Sequence, residues 1–338
     1  MTGRDVFTND VLDWLLDKDD PGVRYLALRD LLDAPPEDKG LKAARTEAHH
    51  SGEIAQVLAQ MQDEGYWVKT GQGYAPKYFG SVWSLILLAQ LGTSISEDRR
   101  VERACHYILD HALTGGGRLT ATASPSGTAD CLQGNLCAAL LDLGCDDPRL
   151  VAAFDWMARS VTGEGIAPPE DRVAPDRYYA TGKCGPGFAC AANYKLPCAW
   201  GAVKVMLAFG KLPTELRTPQ ITRAIHVGID FLFSTDPALA LYPTGYSDQP
   251  SGNWWKFGFP VFYVTDLLQL VETLTALGCG SDARLSRALN VIREKQDAHG
   301  RWRLEYSYAK KTWIDVGAKA QPNKWVTLRA LRVLKAAA

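Results

Sequence analysis

Apolar residues recur along this chain at the three- and four-residue spacing of amphipathic helices, and strand-like alternation is scarce. One phrase returns four times, a leucine-rich turn closed by glycine: "SLILLAQLG" at 84–92, "CAALLDLG" at 137–144, "VKVMLAFG" at 203–210 and "VETLTALG" at 271–278. After each comes a short acidic or proline-bearing linker, then a second amphipathic segment. The pattern predicts two sets of six helices. The first set falls at 20–32, 77–91, 130–143, 197–210, 259–277 and 322–336. The second falls at about 9–16, 41–62, 97–113, 148–161, 218–235 and 282–296. Helix pairs repeated at such intervals bury their faces on their neighbours.

Two further phrases refine this. "QDAHGRW", Gln296 to Trp302, fits Q-x3-G-x-W and follows a helix carrying Ala288; "QDEGYW", Gln62 to Trp67, is a copy shorter by one residue. They resemble the QW repeats of squalene and terpenoid cyclases and of the related protein prenyltransferases. In such a motif glutamine ends the outer helix, glycine makes the turn and tryptophan packs over the next helix. "GFPVFYVTDLLQLVETL" and "PNKWVTLRALRVLK" are similar to a prokaryotic prenyltransferase-like, or squalene cyclase-like, branch of that superfamily. The resemblance covers roughly residues 40–336. It implies an all-α (α/α)6 toroid with inner helices around a central cavity, a single domain over 1–338. The first helix pair, 1–35, resembles a HEAT repeat and would pack onto the ring.

Composition narrows the classes. The 338 residues carry a net charge of −1, with 46% apolar and 22% charged side chains, so no global field draws nucleic acid or an acidic membrane. The N-terminal stretch interrupts its apolar residues with acids, unlike a signal peptide, and the longest apolar run, "SVWSLILLAQLG", is too short to span a bilayer. The expectation is a cytoplasmic protein whose eight cysteines stay reduced.

Laying "CLQGN" (131–135) over "CAWGA" (198–202) puts Cys131 and Cys198 at the same place, the start of neighbouring inner helices. Asn135 and Ala138 continue a stripe of small or polar residues, which is expected to face the cavity. Cys184 and Cys190 arrive on the loop that feeds the fourth inner helix. Thiolates at equivalent first-turn positions suit Zn2+, with Cys131, Cys190 and Cys198 as ligands and Cys184, Asp130, a histidine or an open position completing the set. Unmetallated thiols and plain apolar filling are the other readings. Protein prenyltransferases place a catalytic zinc at such helix ends but use Asp, Cys and His, a set this chain does not repeat.

Aromatic residues gather at the expected cavity ends: Tyr178 in "DRYYATG", Trp254, Trp255 and Tyr263 in "NWWKFGFPVFYVTD", and Trp325 at the last inner helix. They suit an apolar small molecule, with Asn135 as a further contact. Asp266 and Tyr263 are the candidate acid–base groups. The D-x-D-D acid motif of terpenoid cyclases has its letters only in "DKDD" at 17–20, where the acids are expected to cap a helix. No aspartate-rich diphosphate motif, P-loop or nucleophile elbow occurs. Two functions follow: an enzyme acting on an isoprenoid-like or other apolar molecule beside zinc, or a non-catalytic binding or scaffold protein stapled by it.

Overall fold

The helices begin where a short polar side chain can take up a free N–H. Asp38, Asp98, Thr218, Asp266 and Asn323 each accept a backbone N–H of the helix they precede. The computed structural model describes residues 7–338, and its helices are α1 (Asn9–Leu15), α2 (Pro21–Asp30), α3 (Lys39–His50), α4 (Gly52–Leu58), α5 (Ser81–Gln90), α6 (Arg99–Ala112), α7 (Asp130–Asp142), α8 (Arg149–Thr162), α9 (Ala199–Lys211), α10 (Pro219–Leu232), α11 (Leu267–Ala276), α12 (Ser286–Glu294) and α13 (Lys324–Ala336). Among the described residues the only sheet is a two-residue hairpin, β1 (Leu113–Thr114) with β2 (Arg118–Leu119), so the chain is all-α.

Several boundaries differ from the periodic pattern for local reasons. The helix expected over 41–62 breaks at Ser51 and Gly52, where glycine takes φ +70°. The one expected over 259–277 starts only at Leu267, because Asp266 caps it there and accepts from Gln269 N. Gly92, Gly144 and Gly278 terminate their helices in the left-handed region, but Gly210 lies inside α9, packed on Ala276. Asp17 and Asp20 make no side-chain cap for α2 and instead accept from Lys324 Nζ, joining the two ends of the chain.

Helices α5, α7, α9, α11 and α13 each pack on the next, and α13 packs on α2. Leu26 and Tyr25 of α2 lie in turn against Gly92, just past the end of α5. On their other faces α6 meets α5, α8 meets α7, α10 meets α9, α12 meets α11 and α3 meets α2.

The two Q-to-W phrases perform the same task twice. Trp67 and Trp302 are fully buried, and each donates Nε1 at 2.8 Å to a carbonyl ten residues upstream, Val57 O and Ile292 O. Each backbone N–H then reaches a hydroxyl on the following helix, Ser81 Oγ or Thr327 Oγ1. Gly65 and Gly300 make the intervening turns with positive φ.

The small stripe of α7 and α9 does not all face open space, which corrects the expectation. A Cβ on Gly134 would stand 2.3 Å from Lys204 C, and one on Gly201 would stand 3.0 Å from Asp130 Cβ. These glycines let two helix backbones approach, so their lack of side chain is used up in packing. Of the stripe, Cys131 and Cys198 border one cavity and Asn135 and Ala138 another.

Residues 258–266 run as an irregular segment between the same helices. Gln90 of α5 donates Nε2 to Val261 O and accepts from Val261 N, both at 2.8 Å, and Asn135 Nδ2 of α7 reaches Phe262 O. Arg329 of α13 donates to Gly258 O at 2.6 Å and to both oxygens of Asp266 at 2.8 Å. The segment separates two cavities. One lies toward the starts of α7 and α9, the other toward the ends of α2, α5, α7 and α9 and against α11 and α13.

Candidate functional site

The larger cavity, about 600 Å3, opens where the cysteines lie. Its wall takes Cys131 from α7, Ala199 and Trp200 from α9, Cys190 and Cys198 from the loop before α9, and Tyr74 and Lys77 from the approach to α5. Tyr242, Tyr246, Trp254 and Tyr263 complete an aromatic lining. Lys77 and Lys183 also border it, and no carboxylate does among the described residues.

The loop is held by backbone pairing rather than by its thiols. Cys190 N donates to Leu196 O at 3.2 Å and Cys198 N to Phe188 O at 2.9 Å, while Asp130 N donates to Lys183 O at 3.1 Å. These bonds fasten residues 183–198 across the starts of α7 and α9. The thiols of Cys190 and Cys198 neighbour one another. The Cys198 thiol, with the N–H groups of Ala192 and Asn193, lowers the pKa of Cys190, while Cys190 and burial push that of Cys198 up. Burial raises Cys131 to about 12, the Asp130 carboxylate adding to the effect, and raises Cys184 as well.

Asp130 is the anomaly of this region. It is 3% exposed, and its Oδ2 is buried with no hydrogen-bond partner. Burial raises its pKa well above the usual carboxylate range, and the neighbouring Cys190 charge adds to this. Among the described residues, no three His, Cys, Asp or Glu side chains are grouped so as to hold a metal ion.

Tyr263 bridges the cavity and the aromatic core. Its ring lies 5.0 Å from that of Trp83, edge to face, and 6.2 Å from that of Tyr74. Burial raises its pKa, so the hydroxyl stays protonated and is a donor. Lys77 Nζ sits 5.2 Å from the Tyr263 ring centre, 5.1 Å from Tyr78 and 5.9 Å from Trp83. Three rings thus fix the direction of one ammonium at the cavity wall.

The other expected site residues are dispersed. Trp254 lines the cavity, but Trp255 turns away and donates Nε1 to Ala238 O at 3.0 Å. Trp325 stacks on Phe259 at 4.7 Å and packs over Gly22 of α2, so it borders neither large cavity. Tyr178 donates to Ser160 O and, with Cys184, lines a separate cleft of about 350 Å3 on the far side of Cys190. Asn135 borders the cavity at the opposite end of the helices. Asp266 is a helix cap and the buried partner of Arg329, whose charge holds it below the usual carboxylate range against the opposing effect of burial. Both its oxygens are engaged, so it does not stand free as an acid or base.

Sequence reasoning missed Lys183, Trp200, Tyr242 and Tyr246 at the cavity and the fully buried Lys204 of α9. A lysine among apolar residues in "GAVKVMLAFG" was the available signal for Lys204. Trp200 stands in the first turn of α9; the others come from irregular segments, whose three-dimensional course has no periodic signature.

No family model matches the chain, and no curated protein matches it. A solved structure of a protein from Actinoplanes is similar over 88% of this chain and 99% of its own, at 13% identity and a TM-score of 0.32. No helix among the described residues is long and apolar enough to cross a membrane.

Proposed function

We propose that the chain is an (α/α)6 toroid that binds an amphiphilic small molecule, an isoprenoid-like apolar body with an anionic head, in the cavity at its cysteine end. The observation that carries this reading is the lining of that cavity: six aromatic rings, two lysines and no carboxylate among the described residues. The succession of helix contacts from α5 through α13 and α2 back to Gly92 supports the ring. The rings offer a surface on which an apolar chain is desolvated. Lys77, aimed by three rings, and Lys183 offer charge to the head, aided by the uncapped N-terminus of α9. Of the two expected proton-handling residues only Tyr263 borders this space, as a donor.

Zinc belongs to the same proposal. Cys131, Cys190 and Cys198, with Cys184 or Asp130, are the residues that would hold it. Soft thiols suit the ion, and the unpartnered Oδ2 of Asp130 is the kind of buried atom a cation satisfies. The side chains do not form a ready cage, so binding would draw them together. When bound, zinc would supply Lewis acidity or a structural staple.

Calorimetric titration with farnesyl diphosphate, farnesol, palmitate and inorganic diphosphate tests the ligand class. Binding of the first and third, with loss of at least ten-fold in Trp254→Ala and in Lys77→Ala, is expected; equal binding of farnesol would remove the anionic head, and no binding by any of them would end the reading. Elemental analysis of protein purified without a metal-chelating tag, beside Cys131→Ser/Cys198→Ser, tests the zinc. Wild type without stoichiometric metal would remove that part alone.

A further inference from the structure

The second cavity, about 260 Å3, lies at the other end of the same helices. It is smaller than the roughly 300–1,000 Å3 of sites that take drug-sized ligands. Its character is opposite to that of the first. Arg29, Lys211, Arg329 and Arg332 border it together with Asp30, Asp142 and Glu272 and the amides of Gln90, Asn135 and Gln269.

Most of this charge is internally matched. Lys211 pairs with Asp142 at 2.8 Å and Arg329 with Asp266 at 2.8 Å. The remainder is not. Asp30 is shared by Arg29 and Arg332, so two guanidiniums have one carboxylate between them. Arg332 Nε is buried with no hydrogen-bond partner. Glu272, half-buried on the neighbouring α11, has no ion-pair partner among the described residues. Asn135 and Gln269, each 6% exposed, spend only part of their capacity. Asn135 donates to Phe262 O, and Gln269 Oε1 accepts from Lys204 and Thr265. The Asn135 oxygen and the Gln269 amide nitrogen make no side-chain hydrogen bond among the described residues.

One positive and one negative charge are therefore left over within one small recess. Water, of which the space holds roughly eight molecules at about 30 Å3 each, would hydrate both but neutralise neither. A neutral polar molecule has the same shortcoming, and a simple anion would leave Glu272 opposed to it. Arg29, whose side chain is 44% exposed, marks the open side through which a ligand would pass.

We propose that this recess is a second ligand site and that it takes a small zwitterion of amino-acid type. Its carboxylate meets Arg29 and Arg332, its ammonium meets Glu272, and Asn135 and Gln269 complete the polar contacts. The site is independent of the apolar cavity, from which residues 258–266 separate it.

Thermal-shift and calorimetric titrations of the full chain with glycine, L-alanine and β-alanine test it, with acetate and methylammonium as half-ligands. Saturable binding of at least one zwitterion, at least ten-fold tighter than either half-ligand, is expected. Glu272→Gln should weaken it ten-fold or more. Ala138→Leu, which narrows the recess without touching a charge, should abolish it. Farnesyl diphosphate titrated into Ala138→Leu reports separately on the apolar cavity and on folding. Acetate binding as tightly as the zwitterions, an unchanged Glu272→Gln, or no saturable response to any zwitterion in the folded wild type would overturn the proposal.

Discussion

Lys204, in the middle of α9, donates its ammonium to Oε1 of Gln269 on α11, and none of the lysine reaches solvent. Burial lowers its pKa to about 7 from the ordinary 10.5. The unfolded chain therefore holds a proton between about pH 7 and 10.5 that the folded chain has lost. Stability from this group is present above pH 10.5 and falls away as pH drops to 7. Lys204→Met should thus be more stable than wild type at pH 6, by roughly 1–3 kcal/mol once the amide left behind is counted. The difference should shrink steadily toward pH 10. Urea unfolding of both proteins across that range measures it; a gain independent of pH would mean that the folded lysine keeps its ordinary pKa and stays charged throughout.

Asp266 and Arg329 form the opposite kind of buried charge, a matched pair. Arg329→Met leaves Asp266 buried without its counter-ion and should cost about 3–5 kcal/mol. The double variant Asp266→Asn/Arg329→Met should cost less than the sum of the single ones. Because the folded pKa of Asp266 is depressed, the stability it confers is present above its unfolded value near 3.8 and is lost as pH falls through the folded value. Wild type should therefore show a steeper acid limb in its stability profile than the double variant.

Gly134 and Gly201 predict a graded pair of defects. The first meets the Lys204 main chain at 2.3 Å, where no side chain can step aside; the second meets Asp130 Cβ at 3.0 Å. Gly134→Ala should lose about 3 kcal/mol or more, or fail to fold, and Gly201→Ala should lose clearly less. Thermal melts of the two variants decide between them.

Trp67 and Trp302 should answer alike. Replacing either with Phe removes the buried Nε1 bond to Val57 O or Ile292 O and leaves each carbonyl only its longer backbone bond, from Gln60 N or Lys295 N. Each should cost about 1–3 kcal/mol, and the two losses should agree within about 1 kcal/mol. Denaturant midpoints at constant m-value test this equivalence.

Helix placement was largely legible because a half-buried helix must repeat its apolar face every three to four residues. The segment at 97–113 became α6 at Arg99–Ala112, and the segment at 130–143 became α7. Alignment of Cys131 with Cys198 also pointed to one end of one cavity, since both positions open packed helices. The roles of the connecting segments were not legible. Nothing periodic distinguishes Trp254, which lines the cavity, from Trp255, which turns to Ala238. Nor does sequence show that Asp266 would be taken by Arg329, 63 residues away. Sequence by itself determined the helices, because their hydrogen bonds and apolar faces are local properties. Tertiary structure alone decided that residues 258–266 would lie between those helices and divide the space into an apolar end and a charged end. That outcome depends on which distant side chains, Gln90, Asn135 and Arg329, satisfy the segment's backbone.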